Sequence, residues 1–213
     1  METKLGTLYI VATPIGNPDD ISARALRVLG EADWIVCEEI AEGERLLKRH
    51  AIKGLLVDLN EHSEKSRTKE LVVELEKGKS LALISDAGTP LFYDPGKLLV
   101  EAAYAVGARV TAIPGPSSLM AALVLSGLPL NQFRFMGMLP AKREERRKGI
   151  QPLLHEKMTA VLLDAPYRLH AVLTDLTEVL GAERQAVVAC DLTMPGEFVM
   201  RGTLGEIAER FRL

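Results

Sequence analysis

Short apolar runs alternate with amphipathic stretches along this chain, and that alternation is typical of an α/β fold. Leu71 and Leu75 lie one helical turn apart, and Gly78 follows at a position where helices commonly end. Thr203 and Glu206 have the spacing of a capping box. The pattern predicts strands at residues 8–12, 34–37, 81–84, 109–113, 133–138, 158–163, 185–190 and 198–200, and helices at residues 22–29, 67–77, 95–106, 117–125, 167–180 and 204–211.

Two prolines flank a glycine at residues 114–116, between a predicted strand and a predicted helix. Prolines and glycines concentrate in the segments that connect compact units. We therefore expect an N-terminal α/β lobe of residues 1–115 and a C-terminal α/β lobe of residues 116–213.

The composition is that of a globular protein, with 47% hydrophobic and 26% charged residues. The net charge of −3 gives no overall attraction for nucleic acid, so an RNA contact would need a local basic surface. Because no apolar run reaches the length of a membrane span and no targeting segment is recognisable, we expect a cytoplasmic protein.

The histidines and cysteines have no metal-binding spacing, so we expect no metal. The glycine-rich nucleotide signatures are also missing from the sequence, which disfavours dinucleotide-dependent dehydrogenases and P-loop nucleotide hydrolases. We interpret His50, His62, His155 and His170 as solvated surface residues, and Cys37 and Cys190 as buried thiols.

Turn-rich segments directly follow three of the predicted strands. They read Ala-Thr-Pro-Ile-Gly-Asn at residues 12–17, Ser-Asp-Ala-Gly-Thr-Pro at residues 85–90 and Pro-Gly-Pro-Ser-Ser at residues 114–118. These residue types dominate ordinary turns, so one such segment alone would indicate only a turn. In an open α/β sheet, however, ligands bind beyond the carboxyl ends of the strands. Three segments in that position together favour a single ligand crevice.

The same segments resemble the ribosomal RNA small-subunit methyltransferase I group of the tetrapyrrole (corrin/porphyrin) methylase family. The resemblance covers nearly the whole chain. It rests on residues 8–17, 85–90, 94–96 and 113–117, and it continues in order through residues 126–129, 137–140, 165–168 and 201–204.

The resemblance implies a two-lobed tetrapyrrole-methylase fold, each lobe a mixed sheet flanked by helices, with a cofactor cleft between the lobes. It also implies a homodimer and S-adenosylmethionine as cofactor. By this analogy the loops contact the cofactor largely through backbone atoms, and two C-terminal segments line its adenine. The cofactor-binding residues that it implies are Pro14, Asp86, Ala87, Gly88, Thr89, Pro90, Pro114, Gly115, Ser117, Met138, Leu139, Ala165 and Pro166.

The segments on the substrate side depart from the family pattern. The family's Glu-Asp-Thr-Arg is Glu-Glu-Ile-Ala at residues 38–41, which keeps an acid at the second position but has no arginine. An arginine fork can hold a phosphate through two hydrogen bonds, and isoleucine and alanine cannot. The family's Glu-Ser-Pro-His-Arg is Asp-Ala-Pro-Tyr-Arg at residues 164–168 of this chain. A family segment rich in lysine, histidine and acidic residues corresponds to residues 192–197, which keep one acidic residue.

Methyl transfer to a ribose hydroxyl would gain from a carboxylate base. Glu39 is our first candidate, because it follows a predicted strand and matches the family's acidic position. Glu38 and Glu197 are further catalytic candidates, and Asp164 is a weaker one. The alternative for Glu38 and Glu39 is a solvated helix start, where acidic side chains suit the helix dipole.

Residues 142–148 carry five basic side chains in seven positions. They would either receive RNA phosphates or form a solvated helix start in which acids and bases pair with one another. The resemblance favours contact with substrate. The substrate-binding residues that we expect are Asn17, Arg143, Arg146, Arg147 and Arg168.

We therefore expect a methyltransferase that acts on a ribose 2′-hydroxyl of small-subunit ribosomal RNA, with the RNA or the small ribosomal subunit as its partner. A methyltransferase of the same fold acting on a small molecule such as a tetrapyrrole is the first alternative, and the altered substrate segments keep it open. A non-catalytic cofactor-binding protein is the second alternative, and the missing arginine is its main support.

Overall fold

The computed structural model describes residues 4–211 of the chain. The chain divides between Ser117 and Ser118 into two compact units, which we describe one at a time. Our boundary between two lobes at residues 115 and 116 stays a prediction.

The first unit is a sheet with helices on both faces. A short 3-10 helix, Pro18–Asp20, lies between its first strand and its first helix. The strands are β1 (Thr7–Val11), β2 (Trp34–Cys37), β3 (Leu56–Asp58), β4 (Leu81–Ile84) and β5 (Arg109–Ile113), and the helices are α1 (Ala23–Glu31), α2 (Ile40–Arg49), α3 (Glu64–Glu76) and α4 (Lys97–Ala105).

The strands of this sheet, within residues 4–211, lie in the order β3-β2-β4-β1-β5, and each pairing is parallel. The predicted α/β class is confirmed, but the expectation of a mixed sheet in this lobe is wrong. A helix follows each of the first four strands and returns the chain to the same end of the sheet, and such crossovers join parallel strands.

Central strand β4 shows how the two faces are covered. Leu81 and Leu83 belong to a buried cluster that includes residues of α3 and α4. Ala82 and Ile84 belong to a second buried cluster that includes residues of α1 and α2. Because both faces are buried, the loops at the ends of the strands are the part of this sheet that can meet a ligand.

The second unit contains two strand pairs. Strands β6 (Phe133–Met138) and β7 (Thr159–Leu163) pair in parallel, and strands β8 (Gln185–Cys190) and β9 (Phe198–Thr203) pair antiparallel. This lobe was also expected to hold one mixed sheet, but within residues 4–211 its parallel and antiparallel pairs form separate sheets. The helices are α5 (Ser118–Ser126), α6 (Arg143–Ile150), α7 (Leu169–Leu180) and α8 (Leu204–Arg210).

Helices α6, α7 and α8 share one apolar cluster, in which Ile150, Leu173 and Ile207 are buried. The predicted capping box at the start of α8 is confirmed. The Thr203 hydroxyl accepts the Glu206 N–H at 3.2 Å, and the Glu206 carboxylate accepts the Thr203 N–H at 2.8 Å.

The structure confirms the predicted strands, although β9 extends to Thr203 instead of ending at residue 200. Helix α2 and strand β3 were not predicted, and α6 was expected only as one of two alternatives for the charged stretch at residues 142–148. No helix in the described part of the chain is both long enough and apolar enough to span a membrane.

Candidate active site at the carboxyl edge of the parallel sheet

Three loops meet at the carboxyl edge of the first unit's sheet. They follow β4, β1 and β5, which are neighbours in the sheet. Parallel strands present their carboxyl ends at the same edge. The structure therefore brings together predicted cofactor residues from three separate segments, namely Pro14, Asp86, Ala87, Gly88, Thr89, Pro90, Pro114, Gly115 and Ser117.

Thr13 joins the loop after β1 to the loop after β4. Its backbone N–H donates to the Gly88 carbonyl at 2.9 Å, and the Gly88 N–H donates to the Thr13 carbonyl at 3.1 Å. Its hydroxyl donates to the Ser85 carbonyl at 3.0 Å, and the Thr13 and Ser85 side chains are both buried. The two loops are thus held as one surface. Sequence reasoning did not single out Thr13.

Two glycines permit the close approach of these loops. Gly88 has φ +87°, and a Cβ atom there would lie 3.1 Å from Cγ2 of Ile15. A Cβ atom at Gly115 would lie 3.0 Å from Cβ of Ala12. A larger residue at either position would push the loops apart.

Glu38 and Glu39 lie at the same edge, because they follow β2, the neighbour of β4. Glu39 is the N-cap residue of α2, so the helix-start interpretation is correct for its backbone. Its exposed side chain makes no capping hydrogen bond. The Glu39 N–H instead donates to the carboxylate of Asp86. The structure thus places the first catalytic candidate beside a predicted cofactor loop.

The carboxylates at this edge have raised pKa values. Partial removal from water and the nearby charges of Asp86 and Asp94 raise the pKa of Glu38. Partial removal from water also raises the pKa of Asp86, despite the hydrogen bond from Glu39. The pKa of Asp94 is raised for the same reason, against a hydrogen bond from Ser85. A bound cation would stabilise the charged forms of these groups.

The thiol at the end of β2 is chemically inert. Burial, reinforced by nearby carboxylates, raises the pKa of Cys37 to about 12. Such a thiol stays protonated at neutral pH and is a poor nucleophile. The prediction of a buried thiol is confirmed for Cys37, whereas Cys190 is only half-buried on the two-stranded β8–β9 pair.

A further pair of strand ends lies in the second unit. β6 and β7 run parallel with Met138 opposite Leu163, so the residues that follow them lie at one edge. The predicted adenine-lining residues of the two strands, Met138 and Leu139 with Ala165 and Pro166, are therefore neighbours within this unit.

Arg168, which we expected to bind substrate, joins these two strand ends internally. Its Nη2 donates to the Leu139 carbonyl at 2.5 Å, and its Nε lies 3.1 Å from Oδ1 of Asp164. Its side chain is 17% exposed and holds these strand ends together, and a substrate contact by Arg168 stays a prediction. The other oxygen of Asp164, Oδ2, is buried and has no hydrogen-bond partner among residues 4–211.

The basic stretch in α6 is engaged by two acids of α7. Arg146 is buried, with 6% exposure, and its Nε donates to Oδ2 of Asp175 at 2.7 Å. Arg143 donates to Oδ1 of Asp175 at 3.0 Å, and Arg143 and Arg147 both pair with Glu178. Arg146 is therefore withdrawn from the expected RNA-binding surface. Arg143 and Arg147 remain partly exposed, and their substrate role stays a prediction.

The remaining predicted residues occupy turns. The Asn17 side chain accepts the Asp19 N–H at 3.0 Å and caps the short 3-10 helix beside the β1 loop. Glu197 belongs to the second unit, where its carboxylate accepts the Thr193 N–H at 2.6 Å within the β8–β9 turn. The catalytic role of Glu197 stays a prediction.

No cluster of three or more histidine, cysteine, aspartate or glutamate side chains within residues 4–211 has a geometry that could hold a metal ion.

The sequence profile described as Tetrapyrrole (Corrin/Porphyrin) Methylases matches residues 7–208. The chain belongs to this family. The methylase is 48% identical to the ribosomal RNA small subunit methyltransferase I of Xylella fastidiosa (strain Temecula1), over 95% of this chain and 74% of that protein. It is 44% identical to the protein of the same name from Pseudomonas aeruginosa, over 95% of this chain and 72% of that protein.

Solved structures agree with this family at the level of the fold. A diphthine synthase matches the methylase with a TM-score of 0.73 at 15% identity, over 95% of this chain and 84% of that chain. A Thermus thermophilus uroporphyrin-III C-methyl transferase, complexed with S-adenyl homocysteine, matches with a TM-score of 0.65 at 20% identity, over 98% of this chain and 92% of that chain.

Proposed function

We propose that this methylase transfers a methyl group from S-adenosylmethionine to a ribose 2′-hydroxyl of small-subunit ribosomal RNA. The observation that carries the proposal is the surface at the carboxyl edge of the parallel sheet, where three interlocked loops meet carboxylates of raised pKa. The similarity to two proteins named ribosomal RNA small subunit methyltransferase I, at 48% and 44% identity along almost the whole chain, supports the choice of substrate.

The residues at this edge fit the cofactor. When bound, S-adenosylmethionine supplies an electrophilic methyl group on a positively charged sulfur. The carboxylates of Glu38, Asp86 and Asp94 repel one another, and a sulfonium nearby would relieve that repulsion. In the second unit, the buried Oδ2 of Asp164 is an acceptor suited to a donor such as the adenine amino group.

Glu39 is the proposed general base. It is exposed, its side chain does not cap its own helix, and its backbone lies close enough to Asp86 to lower the pKa of that carboxyl. In that position its carboxylate accepts the proton of the ribose hydroxyl during methylation. Glu38 contributes to the same negative surface, and its raised pKa leaves a smaller fraction of it ionised, and so available as a base, at acidic pH.

We also propose that the protein works as a homodimer in the cytoplasm. Helix α5 is almost entirely apolar, yet Met120 is 52% exposed and Val124 is 66% exposed, one helical turn apart. An exposed apolar helix face is typical of a subunit interface. Light scattering on the wild type and on Val124→Asp tests this, and equal masses for the two would contradict it.

Labelled methyl transfer tests the proposed activity. Purified protein and S-adenosylmethionine would be incubated with small ribosomal subunits or with a panel of porphyrinoids, and the methylated nucleoside would be identified by mass spectrometry. We expect label in ribosomal RNA as a 2′-O-methyl nucleoside. Label in a porphyrinoid alone would instead establish the small-molecule alternative.

Calorimetry with S-adenosylmethionine separates the cofactor from the substrate. Binding without transfer to either class would favour the non-catalytic alternative. If no binding is seen at about millimolar S-adenosylmethionine, the binding free energy is weaker than roughly 4 kcal/mol. That result would contradict both the proposed cofactor and the proposed activity.

A further inference from the structure

Three exposed apolar side chains stand at the edge of the candidate site. Leu91, Phe92 and Tyr93 are 37%, 51% and 54% exposed, and they lie in the connection between β4 and α4. This connection begins with the predicted cofactor loop and continues to Asp94. Apolar side chains on a soluble protein are ordinarily scattered, so three in succession beside a site indicate a contact surface.

The backbone of this segment is strained. Leu91 has φ +76° and Tyr93 has φ +70°, although neither residue is glycine. L-residues avoid this region, and such strain persists only where the surrounding structure imposes it. Strain of this kind concentrates at ligand-binding segments, so it is consistent with a functional role for the side chains.

Both ends of the segment are fixed. Before it, the Thr89 hydroxyl donates to the Pro116 carbonyl at 3.1 Å, and Pro90 is buried. After it, the Glu64 carboxylate accepts the N–H groups of Gly96 at 2.8 Å and Leu98 at 3.1 Å. The aromatic rings are therefore presented from a loop that is ordered in advance, which reduces the entropy lost on binding.

Leu91 and the aromatic pair have different roles. A Cβ atom at Gly96 would lie 3.1 Å from Cδ2 of Leu91, so Leu91 packs back onto the start of α4. Phe92 and Tyr93 present more of their surface to solvent. They are the part of the segment that can contact a second molecule.

The charge around this segment determines which chemical group of a second molecule can bind there. The neighbouring carboxylates of Asp86, Asp94 and Glu38 offer a phosphate no positive charge beside this segment. A nucleobase is uncharged and offers a flat face to an aromatic ring. We propose that Phe92 and Tyr93 form a stacking platform for an unpaired base of the RNA substrate. This inference rests on the proposed function.

Substitutions at Phe92 test the platform with little disturbance of the strained backbone, because Phe92 itself is not at positive φ. Phe92→Leu keeps apolar bulk but removes the ring, and Phe92→Trp keeps a stacking face. In the transfer assay with small ribosomal subunits, we expect Phe92→Leu to raise KM about tenfold, with kcat changed less. Phe92→Trp should restore KM to within about threefold of the wild type.

Tyr104→Leu is the matched control, since Tyr104 is an exposed aromatic of the same unit on α4. Its KM should equal that of the wild type, and all variants should bind S-adenosylhomocysteine equally in calorimetry. A wild-type KM for Phe92→Leu would overturn the platform and leave the proposed function standing. A change in oligomeric mass for Phe92→Leu would overturn it in favour of a subunit contact. Failure of the wild-type protein to methylate RNA would remove the proposed function itself.

Discussion

Carboxylates in the two units meet opposite environments. In the second unit, removal from water would raise the pKa of Asp175, but hydrogen bonds from Arg143 and Arg146 prevail and lower it. At the sheet edge of the first unit, partial removal from water raises the pKa of Glu38, and the neighbouring carboxylates raise it further. The charge of Asp175 is thus neutralised by arginines of the protein, whereas the charge of Glu38 faces other carboxylates.

This difference separates a structural cluster from a candidate reactive one. A buried acid with arginine partners is already satisfied, and its removal would leave buried positive charge behind. Acids that repel one another are relieved either by taking up a proton, which raises their pKa values, or by a cation that arrives with a ligand. The comparison therefore points to the first unit's edge for cofactor chemistry, and it indicates that part of the basic stretch in α6 serves the fold.

The largest expected effect is on catalysis at the first unit's edge. Glu39→Gln should slow methyl transfer about a thousandfold, because an amide cannot accept the hydroxyl proton. Cofactor affinity measured by calorimetry should stay within about threefold, equivalent to less than 1 kcal/mol. Glu42→Gln is the control, since Glu42 lies on the same helix and pairs with Arg45 on the surface. Equal rates for Glu39→Gln and the control would remove Glu39 from the mechanism.

The next effect is on the stability of the second unit. Asp175→Asn should lower the free energy of unfolding by about 3 kcal/mol, because it leaves the buried Arg146 guanidinium without its anion. Urea denaturation, with hydrogen exchange in α7 to localise the change, measures this. Glu178→Gln is the control, because its carboxylate is 43% exposed and should contribute less than about 1 kcal/mol. An equal decrease in the free energy of unfolding for both variants would show that burial of the acid does not determine its contribution to stability.

The third effect is a pH dependence that only a cationic ligand should show. Raised pKa values mean that Glu38, Asp86 and Asp94 hold protons in the folded protein at pH values where the unfolded chain has lost them. Their contribution to stability is therefore present at low pH and is lost as pH rises through the folded pKa values. A sulfonium nearby reverses part of this loss, so affinity for S-adenosylmethionine should increase across the same window.

Calorimetry should show S-adenosylmethionine affinity rising about tenfold, equivalent to roughly 1.4 kcal/mol, as pH rises from the ordinary carboxyl pKa range through the raised pKa values of these groups. S-adenosylhomocysteine shares the adenosine and the amino-acid groups but has a neutral sulfur, so its affinity should change less. Parallel pH profiles for the two ligands would mean that these carboxylates do not face the sulfonium.

Much of the site was accessible from sequence because it is built locally. The loops at residues 12–17, 85–90 and 114–117 each follow a strand with a clear apolar pattern, and parallel strands necessarily place such loops at one edge. Helix α2 was missed because half of its residues are charged and only its Gly43 and Leu47 are buried. Strand β3 has only three residues, too few for a periodic signal.

The contacts that decide roles were not accessible, because they join distant residues. Arg146 and Asp175 are separated by 29 positions, and nothing local indicates that they pair. Thr13 resembled an ordinary turn residue until the structure placed its hydroxyl on a carbonyl 72 positions away. Positive φ at Leu91 and Tyr93 likewise has no sequence signal, since turns that need it normally use glycine or asparagine.

The smallest expected effects compare one threonine in each unit. Thr13→Val removes the buried hydroxyl that donates to the Ser85 carbonyl at 3.0 Å, and Thr203→Ala removes the cap of α8. Each should lower the free energy of unfolding by about 1 kcal/mol in urea denaturation. Stability alone therefore does not distinguish them.

Cofactor affinity should distinguish them. Thr13 joins the loop after β1 to the loop after β4, so Thr13→Val should weaken S-adenosylmethionine binding about fivefold, equivalent to roughly 1 kcal/mol. Thr203 holds only the start of α8, and Thr203→Ala should bind the cofactor as the wild type does. If both variants lost cofactor affinity equally, cofactor binding would depend on the second unit as much as on the interlocked loops. The two units would then not differ in their contribution to cofactor binding.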